Sequence, residues 1–387
     1  MNILIVGQVD SIFFRDYVSS AITKNDNMYI ECYSVTNDLG KFSHEFNFNY
    51  RVTSYYSTFI PKIKFFRSFI KPFYIGIELL LYLLLNKNKY NVLHFKWLLP
   101  EIVLFSPIYK FFPFKIISTL WGGELESLKL FGSRKLYFLF FKKMVINSSY
   151  ITVFTHEKEQ QLISYNINKL KIKKFLYGSN IISNIEILVS NGNRLHSKSI
   201  FNIPDNLISI CVGYSGKSLH QQLEFLNFII RNNLTEEFSS KFFLIFPMTY
   251  GFDSNLHDSL LLVLRKFNFK FIILTQKMSD LEVAYLRHST DIFLQISTFD
   301  GLSSSLIEGF LSGSIIICGD WLPYESFKKS GLYFHEIDGL NLSLFKLLDF
   351  LYMNFDNEYN KCKVNKNILG FNQTWNNQIG NWLNLYY

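Results

Sequence analysis

The chain has 387 residues, long enough for two separate cores, and its 49% hydrophobic and 18% aromatic content excludes an intrinsically disordered protein. The formal charge of +8 is uneven: counting Lys and Arg against Asp and Glu, residues 1–190 carry +10 and residues 191–387 carry −2. Nucleic-acid-binding signatures do not accompany that charge, and the four scattered cysteines (Cys32, Cys211, Cys318, Cys362) show neither zinc spacing nor a disulfide framework.

Strand-like runs alternate with helical patterns along the whole chain, which predicts an α/β protein with parallel sheets covered on both faces. The first series is NILIVG (2–7), YIECYSV (29–35), NVLHF (91–95), KIISTL (115–120), YITVFT (150–155) and KKFLYG (173–178), with helices over 72–85 and 156–164. The opening run reads as a strand, so no export signal is expected. The longest apolar run, 73–85, has 13 residues and contains Glu78, short of the ~20 needed to span a bilayer. Lys and Arg interleave with Phe in 61–73 (Lys62, Lys64, Arg67 and Lys71 among them), 110–115 and 134–144. That pattern suits an anionic membrane surface, though inward-packed aromatics under solvated lysines would give it too.

The stretch 179–206 is rich in Asn and Ser, with Gly192 and Pro204, and reads as a linker between domains at 1–178 and 207–370. The second series follows: LISICVG (207–213), FFLIFP (242–247), FKFIILT (269–275), DIFLQIS (291–297), SIIICG (314–319) and LYFHEI (332–337). Ser279 and Glu282 have capping-box spacing ahead of a helix ending near His288. Residues 371–387 end the chain with apolar side chains at helical spacing from Trp375.

Chemistry concentrates at strand ends. In DGLSSSLIEGFLSG (300–313), Asp300 and Glu308 flank Gly301, Leu302 and the helix start Ser303, Ser304 and Ser305. Free N–H groups and the positive end of the helix suit a diphosphate, and a Glu carboxylate suits the vicinal hydroxyls of a ribose. VGYSGKSLHQQ opens the second series, with Gly213, Ser215 and Gly216 for close backbone approach, Lys217 as a phosphate-neutralising cation, and Ser218 and Gln221 at capping-box spacing. An ordinary glycine-containing turn is the competing reading, and His220 is either part of the site or a satisfied surface histidine. Tyr250 in FPMTYG either stacks on a nucleobase or packs on the next helix. In the basic half, WGGELES places Trp121, Gly122, Gly123 and Glu124 after a strand, with Glu124 the first candidate for a general base, Glu126 the second, and helix capping the alternative. His94, ahead of Lys96 and Trp97, either meets an acceptor pyrophosphate or is hydrogen-bonded near the core.

The D-x7-E spacing of Asp300 and Glu308 resembles the E-x7-E motif of GT-B glycosyltransferases, which have two Rossmann-like domains facing across a cleft. STLWGGELESL (118–128), VGYSGKSLH (212–220) and FPMTYG (246–251) are similar to segments of the bacterial 4-acetamido-4,6-dideoxygalactose (4-α-L-fucosyl) transferase family acting on lipid II of enterobacterial common antigen. That family usually has Trp-Gly-Ala-Asp where this chain has Trp121-Gly122-Gly123-Glu124. The resemblance implies a nucleotide-sugar donor on the second domain, a polyprenyl-diphosphate-linked saccharide acceptor on the first, and a terminal helix crossing back to the first. It also implies a cytoplasmic protein peripheral on the anionic inner face of the cell membrane, without nucleic acid. No D-x-D follows a strand, so no metal cofactor is implied. Retention and inversion both stay open, since the two resemblances point opposite ways. A nucleotide-sugar epimerase and a catalytically silent sugar-nucleotide-binding subunit are the rival readings.

Overall fold

The computed structural model describes residues 1–9, 11–25, 27–35, 49–57, 64–121, 135–154, 156–300 and 303–387. These form two compact units, Met1–Ser179 together with Gln373–Tyr387, and Asn180–Asn372.

The first unit holds a seven-stranded parallel sheet of β1 (Asn2–Gly7), β2 (Tyr29–Ser34), β3 (Asn49–Val52), β4 (Val92–Phe95), β5 (Lys115–Thr119), β6 (Tyr150–Val153) and β7 (Ile172–Lys174), in the order β3-β2-β1-β4-β5-β6-β7. Both faces are covered, so the central strands are apolar throughout. On β1, Leu4 and Val6 join one core with Leu79, Leu83, Phe141 and Met144, beneath the helices Lys64–Leu85 and Lys135–Asn147. Ile3 and Ile5 join the other with Phe14, Tyr17, Trp375, Ile379 and Trp382, beneath the helices Ile12–Lys24 and Trp375–Leu383. The terminal helix therefore completes the first unit's core. β3 was not foreseen, because NYRV alternates exposed and half-buried residues at the sheet edge. The helix expected from Pro72 starts instead at Lys64 and carries Pro72 inside it. Its Gly76 leaves room for Phe105, whose ring would lie 2.0 Å from an added Cβ.

The second unit is a six-stranded parallel sheet of β8 (Ile208–Val212), β9 (Phe242–Pro247), β10 (Phe271–Leu274), β11 (Ile292–Gln295), β12 (Ile315–Gly319) and β13 (His335–Ile337), in the order β10-β9-β8-β11-β12-β13. Cys211 and Cys318 are small buried residues on β8 and β12. The stretch 179–206, read as a linker from its Asn and Ser content, is built into this unit as the helices Asn180–Asn191 and Arg194–Ile200. Ile181, Ile182, Ile185, Leu188 and Val189 make a helical stripe packed on the core, and Asn193 caps the second helix by accepting from His196 N at 2.9 Å. The Ser279–Glu282 capping box forms as expected.

In each sheet the chain starts in the middle, builds outward to one side, then crosses to the other. The order reverses between β1 and β4 in the first unit and between β8 and β11 in the second. Open α/β sheets bind ligands at the carboxyl ends of the strands flanking such a reversal.

Candidate functional site

The two loops that leave β8 and β11 are tied together. Thr298 N donates to Leu219 O at 2.9 Å, and from the turn after β12 Trp321 Nε1 donates to Ser297 O of the β11 loop at 2.8 Å. His220 is buried between them, with Nε2 2.8 Å from Ser215 Oγ and Nδ1 2.7 Å from Ser297 Oγ. Gly213 has φ +68, and an added Cβ would lie 2.8 Å from His220. Only glycine meets both demands at once. Gly216 is needed for close approach to the loop after β9: its N–H donates to Tyr250 O at 2.9 Å, and an added Cβ would lie 3.1 Å from Phe252 Cα.

Ser218 and Gln221 do not form the expected capping box. Ser218–His220 is a 3-10 turn, Gln221 takes the left-handed conformation (φ 52) and donates from Nε2 to Ile296 O, and the α-helix starts at Gln222. Within this tight turn His220 bonds to Ser215 on one side and Ser297 on the other. His220 therefore positions the loop from within.

Lys217 is exposed at the mouth, its Nζ 5.2 Å from the centre of the Tyr250 ring, which is 67% exposed. An open depression of about 620 Å³ lies between residues 217–219 and 251–254. Tyr250 is thus largely exposed, with Lys217 the cation set against its ring.

Asp300 is buried and accepts from Tyr214 Oη at 3.0 Å, Gln295 Nε2 at 2.5 Å and Tyr324 Oη at 2.5 Å. It connects the loop after β8, the end of β11 and the turn after β12. Burial, followed by the Asp300 carboxylate, pushes both phenols above their ordinary range, so Tyr214 and Tyr324 remain neutral donors.

Ser303 is the N-cap of the helix Ser304–Ser312 but makes no side-chain cap bond, Ser304 is exposed, and Gly301 and Leu302 lie outside the described residues. Glu308 is not the solvated carboxylate that its helix position allows. It is buried and accepts from Arg287 Nε at 2.9 Å through Oε2, while Arg287 Nη2 donates to Ser305 Oγ at 2.9 Å. Among the described residues the buried Arg287 Nη1 has no hydrogen-bond partner and Glu308 Oε1 accepts no bond. Arg287, Tyr214, Gln295 and Tyr324 were missed in the sequence. The legible signal was Arg287 in the last turn of a capped helix just before β11.

In the first unit, His94 is fully buried, with Nδ1 2.8 Å from Tyr386 Oη and Nε2 2.9 Å from Thr119 Oγ1. Both ring nitrogens are engaged within the core, so the hydrogen-bonded alternative describes it. Trp121 Nε1 donates to Lys96 O at 2.6 Å, and its ring stacks on Trp97 at 5.1 Å. Lys96 is fully buried, its Nζ 3.3 Å from the Tyr17 ring centre and 3.9 Å from that of Trp382. Burial pushes its ammonium well below the ordinary value. Gly122, Gly123, Glu124 and Glu126 lie outside the described residues.

A pH prediction follows from two buried histidines. Burial, then a nearby cation (Lys217 for His220, Arg194 for His288), lowers each to about 4, against about 6.5 when unfolded. The unfolded chain therefore binds protons first as pH falls. Stability should be fully present above pH ~6.5 and lost as pH falls through ~4, with each histidine removing roughly 1–2 kcal/mol between pH 7 and pH 5. Urea midpoints at the two pH values check this, and a midpoint unchanged at pH 5 would contradict it.

Neither a protein-family model nor a curated protein sequence matches the chain. Solved structures do match over its full length. A glycosyltransferase from Rickettsia africae aligns with TM-score 0.68 at 14% identity, covering 100% of this chain and 97% of that one. HepE of Anabaena, in complex with UDP-glucose, aligns with TM-score 0.62 at 11% identity, covering 99% of each. The UDP-GlcNAc 2-epimerase of Neisseria meningitidis, bound to UDP-GlcNAc, aligns with TM-score 0.65 at 13% identity, covering 100% of this chain and 99% of that one. The fold of this chain is GT-B, two Rossmann-like α/β domains.

Proposed function

We propose that this chain is a glycosyltransferase that takes a sugar from a nucleotide-sugar donor and passes it to a polyprenyl-diphosphate-linked saccharide in bacterial surface-polysaccharide assembly. It would work peripherally on the cytoplasmic face of the cell membrane. The observation that carries this reading is the β8–β11 reversal of the second unit, where the loop after β8 presents an exposed lysine, the loop after β11 runs into a helix start with no side-chain bond from its N-cap Ser303, and the Arg287–Glu308 pair joins the helices on either side of β11.

In this reading Lys217 and the N–H groups at Ser304 and Ser305 face the diphosphate and stabilise charge on the leaving group. Glu308, held by Arg287, offers Oε1 to the ribose, and Tyr250 offers its face to the base. Asp300 takes the single hydroxyl protons of Tyr214 and Tyr324, and so ties the loops after β8 and β12 beside the sugar. Glu124 is the base that deprotonates the acceptor hydroxyl. HepE is solved with UDP-glucose, which supports a nucleotide sugar as ligand of this fold, and the fucosyltransferase-like segments support an acetamido-dideoxy sugar.

The epimerase neighbour favours one rival reading, and the products separate the two. An epimerase interconverts its nucleotide sugar with no acceptor present, whereas a transferase needs one. The first test is a thermal-unfolding screen of UDP-, dTDP- and GDP-sugars on the full chain. A donor at ~100 times its Kd should add about 2.7 kcal/mol of stability. Lack of stabilisation by every nucleotide sugar at millimolar concentration would overturn the donor site.

A further inference from the structure

One helical layer of the first unit leaves its apolar side uncovered. The helix Lys64–Leu85 buries Ile75, Leu79 and Leu83, yet Phe73, Ile77, Leu81, Leu84 and Leu85 are exposed at 44%, 49%, 55%, 56% and 86%. At about 100° per residue these five lie within an arc of roughly 120°, an apolar face opposite the one packed on the sheet. The short helices Pro100–Val103 and Ser106–Tyr109 and the helix Lys135–Asn147 continue the same layer. Just past the second short helix stands Phe111, 77% exposed, with Lys110 Nζ 4.9 Å from its ring centre.

Along these helices the exposed charges have one sign, although the neighbouring helix His156–Ser164 on the same core carries Glu157 and Glu159. Between 64 and 115 and between 135 and 147 the sequence has two acidic residues, Glu78 and Glu101. Glu101 is buried, and Glu78 accepts from Thr53 Oγ1 and Ser54 N. Lys87, Lys110 and Lys143 are exposed. Among the described residues no helix is long and apolar enough to cross a membrane. A cationic amphipathic helix with bulky apolar side chains facing out matches a surface that is negatively charged outside and apolar just beneath.

We propose that this layer, centred on the Phe73–Leu85 stripe and Phe111, is the docking face for an anionic lipid bilayer. The apolar side chains enter the headgroup boundary while Lys87, Lys110 and Lys143 neutralise lipid charge. This rests on the reading of the protein as one that meets a lipid-linked acceptor. It places the contact on a helix face rather than on the basic segment 61–73, of which Lys62 and the side chains of Lys64 and Arg67 lie outside the described residues.

The test is co-sedimentation of the full chain with phosphatidylglycerol-containing and pure phosphatidylcholine vesicles at two salt concentrations. Wild type should prefer the anionic vesicles, lose part of its binding as salt rises, and keep a salt-resistant remainder from the inserted side chains. Substituting Ile77→Ser, Leu81→Ser, Leu85→Ser and Phe111→Ser together should raise the lipid concentration for half-binding at least tenfold. Lys87→Gln, Lys110→Gln and Lys143→Gln together should remove the preference for anionic vesicles while leaving the fold intact, and so serve if the apolar variant does not fold. Equal binding of wild type and both variants would overturn the proposal. So would an apolar variant that binds vesicles normally but shifts a dimer to monomer in sedimentation velocity, since a second copy would then cover the face. Stabilisation by nucleotide sugars is measured separately without lipid. Vesicle binding without it would remove the transferase reading and leave the docking face standing.

Discussion

Replacing Arg287 with Ala is expected to destabilise the protein by about 3–5 kcal/mol, because it strands the Glu308 carboxylate in a site that is 3% exposed. A buried pair is costly to break from one side even where its net contribution is small. The double substitution Arg287→Met with Glu308→Leu should recover most of that loss, since it removes both charges and refills the space. Donor affinity should not recover with it. Glu308→Gln, which keeps the shape, should weaken nucleotide binding by roughly 1.5–3 kcal/mol, the range for a hydrogen bond to a charged group. Urea unfolding and calorimetric titration of the same variants separate the two roles. A double variant that is stable and still binds donor as wild type does would leave the pair a purely structural one.

The second large effect concerns turnover. Glu124→Gln should leave donor affinity unchanged and lower the transfer rate by ~10²-fold or more, since general base catalysis typically contributes 10²–10⁴. The comparison is kcat at saturating donor and acceptor. A rate within a few-fold of wild type would move the base elsewhere, to Glu126 first, because His94 has both nitrogens occupied in the core.

The alternation of β and α patterns was legible because parallel strands buried on both faces read as continuous apolar runs, as NILIVG, FFLIFP and SIIIC do. NYRV escaped notice because an edge strand needs only one apolar side, and residues 179–206 because their Asn content hid a five-residue stripe of isoleucine, leucine and valine. At the candidate site, the glycines and Lys217 were legible through spacing alone. The partners of the two carboxylates were not. Tyr214 and Tyr324 reach Asp300 from the loops after β8 and β12, and Arg287 reaches Glu308 from the preceding helix, pairings that no local spacing records; Gln295, five residues before Asp300, is near in sequence but reads only as part of the strand. His220 shows the same limit: two positions past Ser218, its sequence context leaves a site role and a surface role equally open, and only the fold reveals Ser297 on its far side.

The proposed donor site lies in the crevice at the ends of β8 and β11. Hydrogen–deuterium exchange of the full chain, with and without a saturating nucleotide sugar identified by the stabilisation screen, tests it most directly. Binding there should slow exchange in residues 213–221, 248–254 and 297–308, with the amides at the start of the helix Ser304–Ser312 among the most protected. Protection confined to other segments, with these three unchanged at saturation, would contradict it.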